Sequence, residues 1–293
     1  MNEFKILADS CCDISDEILK EIDVDTIPYY TCLDGKNHLK ERVDISIDEF
    51  YNQLETNDNL FPKTSFPTIQ EFSDFFCQYL KKNMDILFIS MTSKFSSAFQ
   101  AIINLTEDLK KEYPSSNIII VDSMQASMGE GLIIMEAAKM KKAGHSIFEV
   151  ADFINNTKHD SKLFCTVNSL AYLQKGGRIG KVSAIAGSLL NIKPIIAMKN
   201  GELFPYSKVR GRKKAIDEIT KLIAQSTQDN KDDYEYAVFH SCSHDEAIEI
   251  IDELKNKYNL KINLPAITVG VIIGSHIGPT VLAVAAVKKA QLN

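Results

Sequence analysis

Two hydroxyl-rich segments and one isolated histidine are the parts of this sequence whose residue types could do chemistry. FPKTSFPTIQEF carries Thr64 and Ser65 between Pro62 and Pro67, just ahead of a Thr68-x-x-Glu71 capping box. SMTSKFSSAFQ follows a β-branched apolar run and contains a second box pattern, Ser97-x-x-Gln100. A helix beginning offers unpaired N–H groups and a partial positive charge, so added hydroxyls there suit a carboxylate or a phosphate. Taken singly, each segment reads as a helix cap, worth about 1 kcal/mol. The third feature is His276 in VGVIIGSHIGPTVLAVAAV, fenced by Gly274 and Gly278 and the one titratable side chain of residues 269–287. A lone imidazole in an apolar loop ordinarily acts as a structural donor. The three features together shift the reading toward an anion site.

Other chemistries lack their residues. His240-x-Cys242-x-His244 has metal-ligand types but no fourth ligand nearby, so a zinc site is not expected. There is no G-x-S-x-G elbow, and no acidic partner for His276 can be picked out, which weakens a serine hydrolase. KGGRIGK (175–181) lacks the G-x-x-x-x-G-K-[ST] pattern of a P-loop, and its basic residues read as solvated or partner-facing. Asp9-Ser10, at the end of the first apolar run, lacks the glycines of a dinucleotide fingerprint.

These residues need a scaffold, and the apolar pattern supplies one. FKILAD (4–9), MDILFIS (84–90) and NIIIVDS (117–123) are nearly continuous apolar runs, the signature of strands buried on both faces of a parallel sheet. IQEFSDFFCQYLKK (69–82) and SAFQAIINLTEDLKKE (97–112) repeat apolar residues at three- and four-residue spacing and read as helices. The alternation implies an N-terminal three-layer α/β/α domain, placed at 1–160, and ligands in such sheets bind beyond the carboxyl ends of the strands.

From about residue 163 the texture changes. LFCTV reads as a strand, and Asn200-Gly201 between two extended runs signals a hairpin. A basic helix start at 210–214, a strand YEYAVFH (234–240) and a helix from Asp245 follow. The stretch around His276 is read as two strands flanking a loop. This half, 161–293, is expected to be an α/β domain with a mixed sheet.

The totals bound the function. The 293 residues suit one large or two medium domains, and 45% apolar with 25% charged residues is ordinary for a globular protein. A net charge of −6 argues against nucleic acid and against tight docking on an acidic membrane. Six scattered cysteines without a C-x-x-C pair, and no signal-peptide pattern, point to reduced thiols in the cytoplasm. Cys11-Cys12 reads as a pair of small buried hydrophobes. Residues 269–287 are nearly long enough for a membrane span, but the GSHIGP interruption divides them.

ADSCCDIS, KTSFPT, SMTSKFSSAFQ, NSLAYLQKGGRIGK, KPII with NGELFPYSKVRGRKKA, and GSHIGPT occur here in the order seen in the DegV family. The resemblance spans about 5–287. It implies a two-domain α/β protein that binds one long-chain fatty acid without a cofactor or metal. It further implies the role of binding subunit in bacterial fatty acid kinase. The bound carboxylate is presented there to a separate ATP-dependent kinase subunit, whose acyl phosphate feeds phospholipid synthesis; transient membrane contact is compatible with the sequence, which does not give the route of ligand entry. By the resemblance, Thr64 with adjacent Ser65, Ser96 and His276 hold the carboxylate; Arg178, Arg210 and Arg212 face the pocket entrance or the kinase. A stand-alone acyl-ester hydrolase and a module for another small anion remain as alternatives. Two departures bear on pocket shape: Ser97 and Thr280 stand where the family usually has glycine.

Overall fold

The computed structural model describes residues 3–57, 59–185 and 191–292. Strands β1 (Phe4–Asp9) and β2 (Val24–Ile27) are joined through helix α1 (Asp16–Glu21). A small antiparallel ribbon follows, made of β3 (Tyr30–Cys32), β4 (Leu39–Lys40) and, after helix α2 (Ile47–Thr56), β5 (Lys63–Ser65). Next come α3 (Ile69–Leu80), β6 (Asp85–Ser90), α4 (Ala98–Glu112), β7 (Ile118–Asp122), α5 (Met128–Lys142) and α6 (Ile147–Thr157). The main N-terminal sheet has the order β2-β1-β6-β7, and every pairing in it is parallel. Helices α3 and α4 pack on it together, as do α5 and α6, giving the three-layer arrangement. Every residue of β1 and β6 is buried, which is why both appear in the sequence as unbroken runs rather than alternations.

The second sheet is built from β8 (Lys162–Thr166), β9 (Ile192–Lys199), β10 (Glu202–Arg210), β11 (Tyr234–His240), β12 (Ile267–Thr268) and β13 (Leu282–Lys288). Its helices are α7 (Ala171–Lys175), α8 (Arg212–Thr227), α9 (His244–Asn256) and α10 (Val271–Ile277). The strand order is β10-β9-β8-β13-β11-β12, antiparallel throughout except for β11 with β12, so the sheet is mixed. The β9–β10 turn places Asn200 at φ 51° and Gly201 at φ 78°, the pair of positive values that a two-residue hairpin turn requires. The boundary drawn at residue 160 falls in the single turn Lys158–Asp160 that separates α6 from β8.

Helix α5 joins the two sheets. Eleven of its 15 residues are buried, because it packs on β1 from one side and on β11 and β13 from the other. A helix enclosed this way must be apolar around most of its circumference. One continuous core therefore runs from the N-terminal sheet through α5 to a face of the second sheet, while α8 and α9 cover a separate core on the opposite face.

Two local expectations fail. The residues preceding His276 form a helix, α10, and not a strand. Its apolar residues serve two cores, Val271 beside Phe50 and Tyr51, Ile272 in the main one; periodicity cannot separate a short buried helix from a strand in that case. The Ser97-x-x-Gln100 box does not form, because Ser97 adopts helical angles (φ −76°, ψ −2°) and its side chain caps nothing. Ser96 takes the role instead, its Oγ accepting the Ala98 N–H at 3.2 Å. The Thr68–Glu71 box is present in full. Among the described residues no helix is long and apolar enough to cross a membrane.

Candidate functional site

A cavity of about 340 Å³ lies between the second sheet and the segments that leave β5, β6 and β7. That volume falls in the range of small-molecule sites. Leu163, Met198, Leu203, Phe239 and Ala283 from the sheet, with Val281 just before β13, make one wall apolar. The other side carries Thr64, Ser65, Ser96, Ser97, Arg178 and His276. The loops following β6 and β7 sit at the carboxyl end of the parallel sheet, where an open α/β sheet receives its ligands.

The polar groups lie close together around Gly176. Thr64 Oγ1 lies 2.7 Å from His276 Nε2. The other imidazole nitrogen, Nδ1, is buried without a hydrogen-bond partner and abuts Gly176. Arg178 donates from Nη1 to Gly176 O at 2.7 Å and from Nε to Phe95 O at 3.0 Å, next to Ser96. These contacts gather the polar residues at one end of the cavity, beside the start of α4. Ser65 Oγ sits 3.4 Å from His38 Nδ1, an exposed residue, so this end reaches the protein surface.

Burial and the neighbouring Arg178 cation hold the His276 pKa down at about 4, so the imidazole is neutral at physiological pH. The tautomer with hydrogen on Nε2 leaves no buried N–H unpaired. It donates to Thr64 Oγ1 and frees the threonine hydroxyl hydrogen to point into the cavity. Arg178 has no carboxylate within ion-pair distance among the described residues, so its guanidinium is the cavity's uncompensated positive charge. Hydroxyls, a guanidinium and the N-terminus of a 15-residue helix form an anion-binding end on an apolar cavity.

The remaining residues named from sequence lie elsewhere. Arg210 is exposed and does not line the cavity. Arg212 is bound up in the fold: Nη1 donates to Thr280 O at 2.8 Å, and Nη2 and Nε reach Glu246, with Ser243 alongside. Thr280 is turned away, its Oγ1 accepting from Asn168 N, whereas Ser97 does line the cavity. His240 and His244 contact one another at 3.3 Å, and no group of three metal-ligating side chains converges among the described residues.

Sequence reasoning missed the residues that aim His276. Glu41 Oε1 accepts from Ile272 N at 3.3 Å and the Asp13 carboxyl packs against Gly270, so two buried acidic side chains from distant segments meet the start of α10. A Cβ at Gly270 would stand 2.5 Å from both carboxylates; glycine lets them close in. Ser275 Oγ bonds Thr31 Oγ1 at 3.0 Å, tying α10 to the ribbon that carries Thr64. Gly176 gives the imidazole its space. Gly176→Ala is expected to push the ring off Thr64 toward water, raising its pKa from about 4 toward the free value. An NMR titration of the His276 ring reads this directly, and an unchanged pKa would show that the ring has room to stay.

Comparison with known proteins adds a family to this geometry. Residues 3–289 match the family described as "Uncharacterised protein, DegV family". A DegV domain-containing protein of Clostridium perfringens is 31% identical over 97% of both chains. A stearic acid-binding protein from Eubacterium ventriosum superposes with a TM-score of 0.93 at 29% identity, covering 98% of each chain. DegV of Bacillus subtilis, described as a fatty acid binding protein, superposes with a TM-score of 0.86 at 26% identity, over 99% of this chain and 100% of its own.

Proposed function

Because the chain belongs to the DegV family, we propose that it binds one long-chain fatty acid and presents the carboxylate to a separate ATP-dependent kinase subunit. What carries the reading is the cavity itself, apolar along the second sheet and polar where Thr64, Ser96, Arg178 and His276 meet. The acyl chain lies on Leu163, Met198, Leu203 and Phe239, where burial contributes about 0.8 kcal/mol per methylene. The carboxylate accepts hydrogen bonds from the Thr64, Ser65 and Ser96 hydroxyls and the free guanidinium nitrogen of Arg178. Neutral His276 fixes the direction of the Thr64 hydroxyl.

The position of the polar end supports presentation to a kinase. Ser97 is exposed and lines the cavity, so an oxygen of the bound carboxylate faces the surface. That oxygen is the nucleophile; the kinase supplies ATP, and ADP leaves as the acyl phosphate forms. The hydrolase alternative draws no support, since His276 Nδ1 faces Gly176 rather than an orienting carboxylate.

The test is extraction of the purified protein and mass spectrometry of the lipid, followed by incubation with ATP and a bacterial fatty acid kinase subunit. We expect one long-chain acid per chain, and acyl phosphate only when ATP and the kinase are both added. Protein that is empty and ignores added acids overturns the binding reading. Loaded protein that yields no acyl phosphate overturns the presentation alone.

A further inference from the structure

A second cavity, of about 460 Å³, sits beside one end of the β8–β9 ladder, and Met198 lines both it and the first. The β8–β9 ladder runs from Thr166–Ile195 to Phe164–Ala197 and ends there. Continued by one step, it would pair Leu163 with Met198; the ladder stops short of that pair, and the two cavities lie beside this end of it. On one side of that end Leu163 and Met198 line the acyl cavity. On the other, Lys162, Phe164, Lys199 and Tyr206 surround the second cavity.

We propose that the Met198 side chain is the partition that closes the acyl cavity at this end of the ladder, and so sets the longest chain the protein accepts. The inference rests on the fatty-acid reading above and names the residue that limits its ligand. Three observations carry it. Met198 is 7% exposed and is the one residue that lines both cavities among the described residues, which places it at their boundary. Its backbone is held still: it pairs with Leu203 across the hairpin, and the hairpin tip is pinned by Thr92 Oγ1 donating to Gly201 O at 2.9 Å. Finally, an unbranched thioether fills an irregular gap without making it rigid, which suits a closure formed by one side chain. Phe164, Phe204 and the exposed Tyr206 give the second cavity apolar walls that an emerging tail would meet, with Lys158, Lys162 and Lys199 outside the tail's preference.

The partition makes a length-dependent prediction. Each methylene buried strengthens binding roughly fourfold, until the chain reaches the partition and the gain stops. Affinities of the full-length protein, stripped of lipid, are measured for saturated acids of increasing length, for wild type, Met198→Ala and Met198→Val. Leu203→Ala is the control, because Leu203 pairs with Met198 and lines the first cavity only. The expected result is a wild-type ceiling that Met198→Ala and Met198→Val move to longer acids, with the roughly fourfold gain per methylene restored beyond it. Leu203→Ala is expected to weaken all acids and leave the ceiling in place. A ceiling unchanged in both Met198 variants overturns the partition while leaving fatty-acid binding intact. An equal shift in Leu203→Ala overturns it too, since simple enlargement would then explain the change. Wild-type protein that binds no acid of any length overturns both readings.

Discussion

Arg178→Met is expected to weaken binding of a long-chain carboxylate by roughly ten- to a hundredfold, because a hydrogen bond to a charged group contributes about 1.5–3 kcal/mol. The guanidinium lines the cavity with no carboxylate of its own to neutralise it. Its Nε and Nη1 are committed to Phe95 O and Gly176 O, which fixes the plane and leaves the other nitrogen for the ligand. The loss should be specific for charge: the fatty alcohol of the same length should change by less than about threefold, since its contacts are apolar burial and neutral hydrogen bonds. A second readout comes from His276. Arg178 adds to burial in holding that imidazole at about 4, so the variant should titrate higher. Arg178→Lys keeps the charge but not the fork, and should recover part of the affinity. Calorimetry with acid and alcohol, paired with NMR of the imidazole, decides it; equal acid affinity in wild type and Arg178→Met would remove Arg178 from the site.

The parts of this fold that were readable in sequence are those where local pattern and burial agree. β1 and β6 are enclosed in a parallel sheet and appear as apolar runs, and β7, at the edge beside β6, shares the run though it is only half-buried. Asn200-Gly201 announces a turn because few other residues accept two consecutive positive φ values. The hydroxyl segments were visible for the same reason, as caps. What was hidden depends on contacts between distant segments. Residues 271–277 contain a glycine and four β-branched residues, a poor helix by propensity. The helix forms because Glu41, Asp13 and Thr31 meet its backbone and Ser275 from elsewhere in the chain. No periodicity within the segment encodes that.

The same contrast separates the arginines. Arg178, Arg210 and Arg212 are equivalent in composition, and spacing does not rank them. Their surroundings do: Arg212 spends its donors on Glu246, Ser243 and Thr280, Arg210 projects into solvent, and Arg178 alone of the three reaches the cavity. Likewise Ser96 and Ser97 are adjacent and chemically identical. Backbone angles determine that Ser96 Oγ caps α4 while Ser97 is left exposed at the cavity rim.

The carboxylates that hold α10 carry the other large prediction, which concerns pH. Asp13 is fully buried; burial first, then the nearby Glu41 charge, lifts its pKa to about 8, against the pull of the Ser127 hydroxyl and Arg42. Glu41 is raised as well, mainly by burial, and Glu130 further still by burial with Asp9 and Asp13 around it. A carboxyl whose pKa is higher folded than unfolded holds its proton in the native state after the unfolded chain has released it. Native protein then binds more protons, and stability falls as pH rises from about 4 to about 8. Asp13→Asn removes the Asp13 share of that dependence and leaves the shares of Glu41 and Glu130 in place. Asparagine suits the site, since residue 13 sits at φ 55° and Ser127 Oγ, 2.5 Å from Oδ2, needs only an acceptor. The variant should match wild type near pH 4 and gain on it by up to about 1.4 kcal/mol per pH unit, levelling above pH 8. Denaturant unfolding of both proteins across pH 4–9 measures the difference. Parallel curves would mean that Asp13 does not titrate in that window. Because Asp13 also meets Gly270 at the start of α10, the gain should come with an unshifted His276 imidazole, which separates removal of a buried charge from movement of the helix.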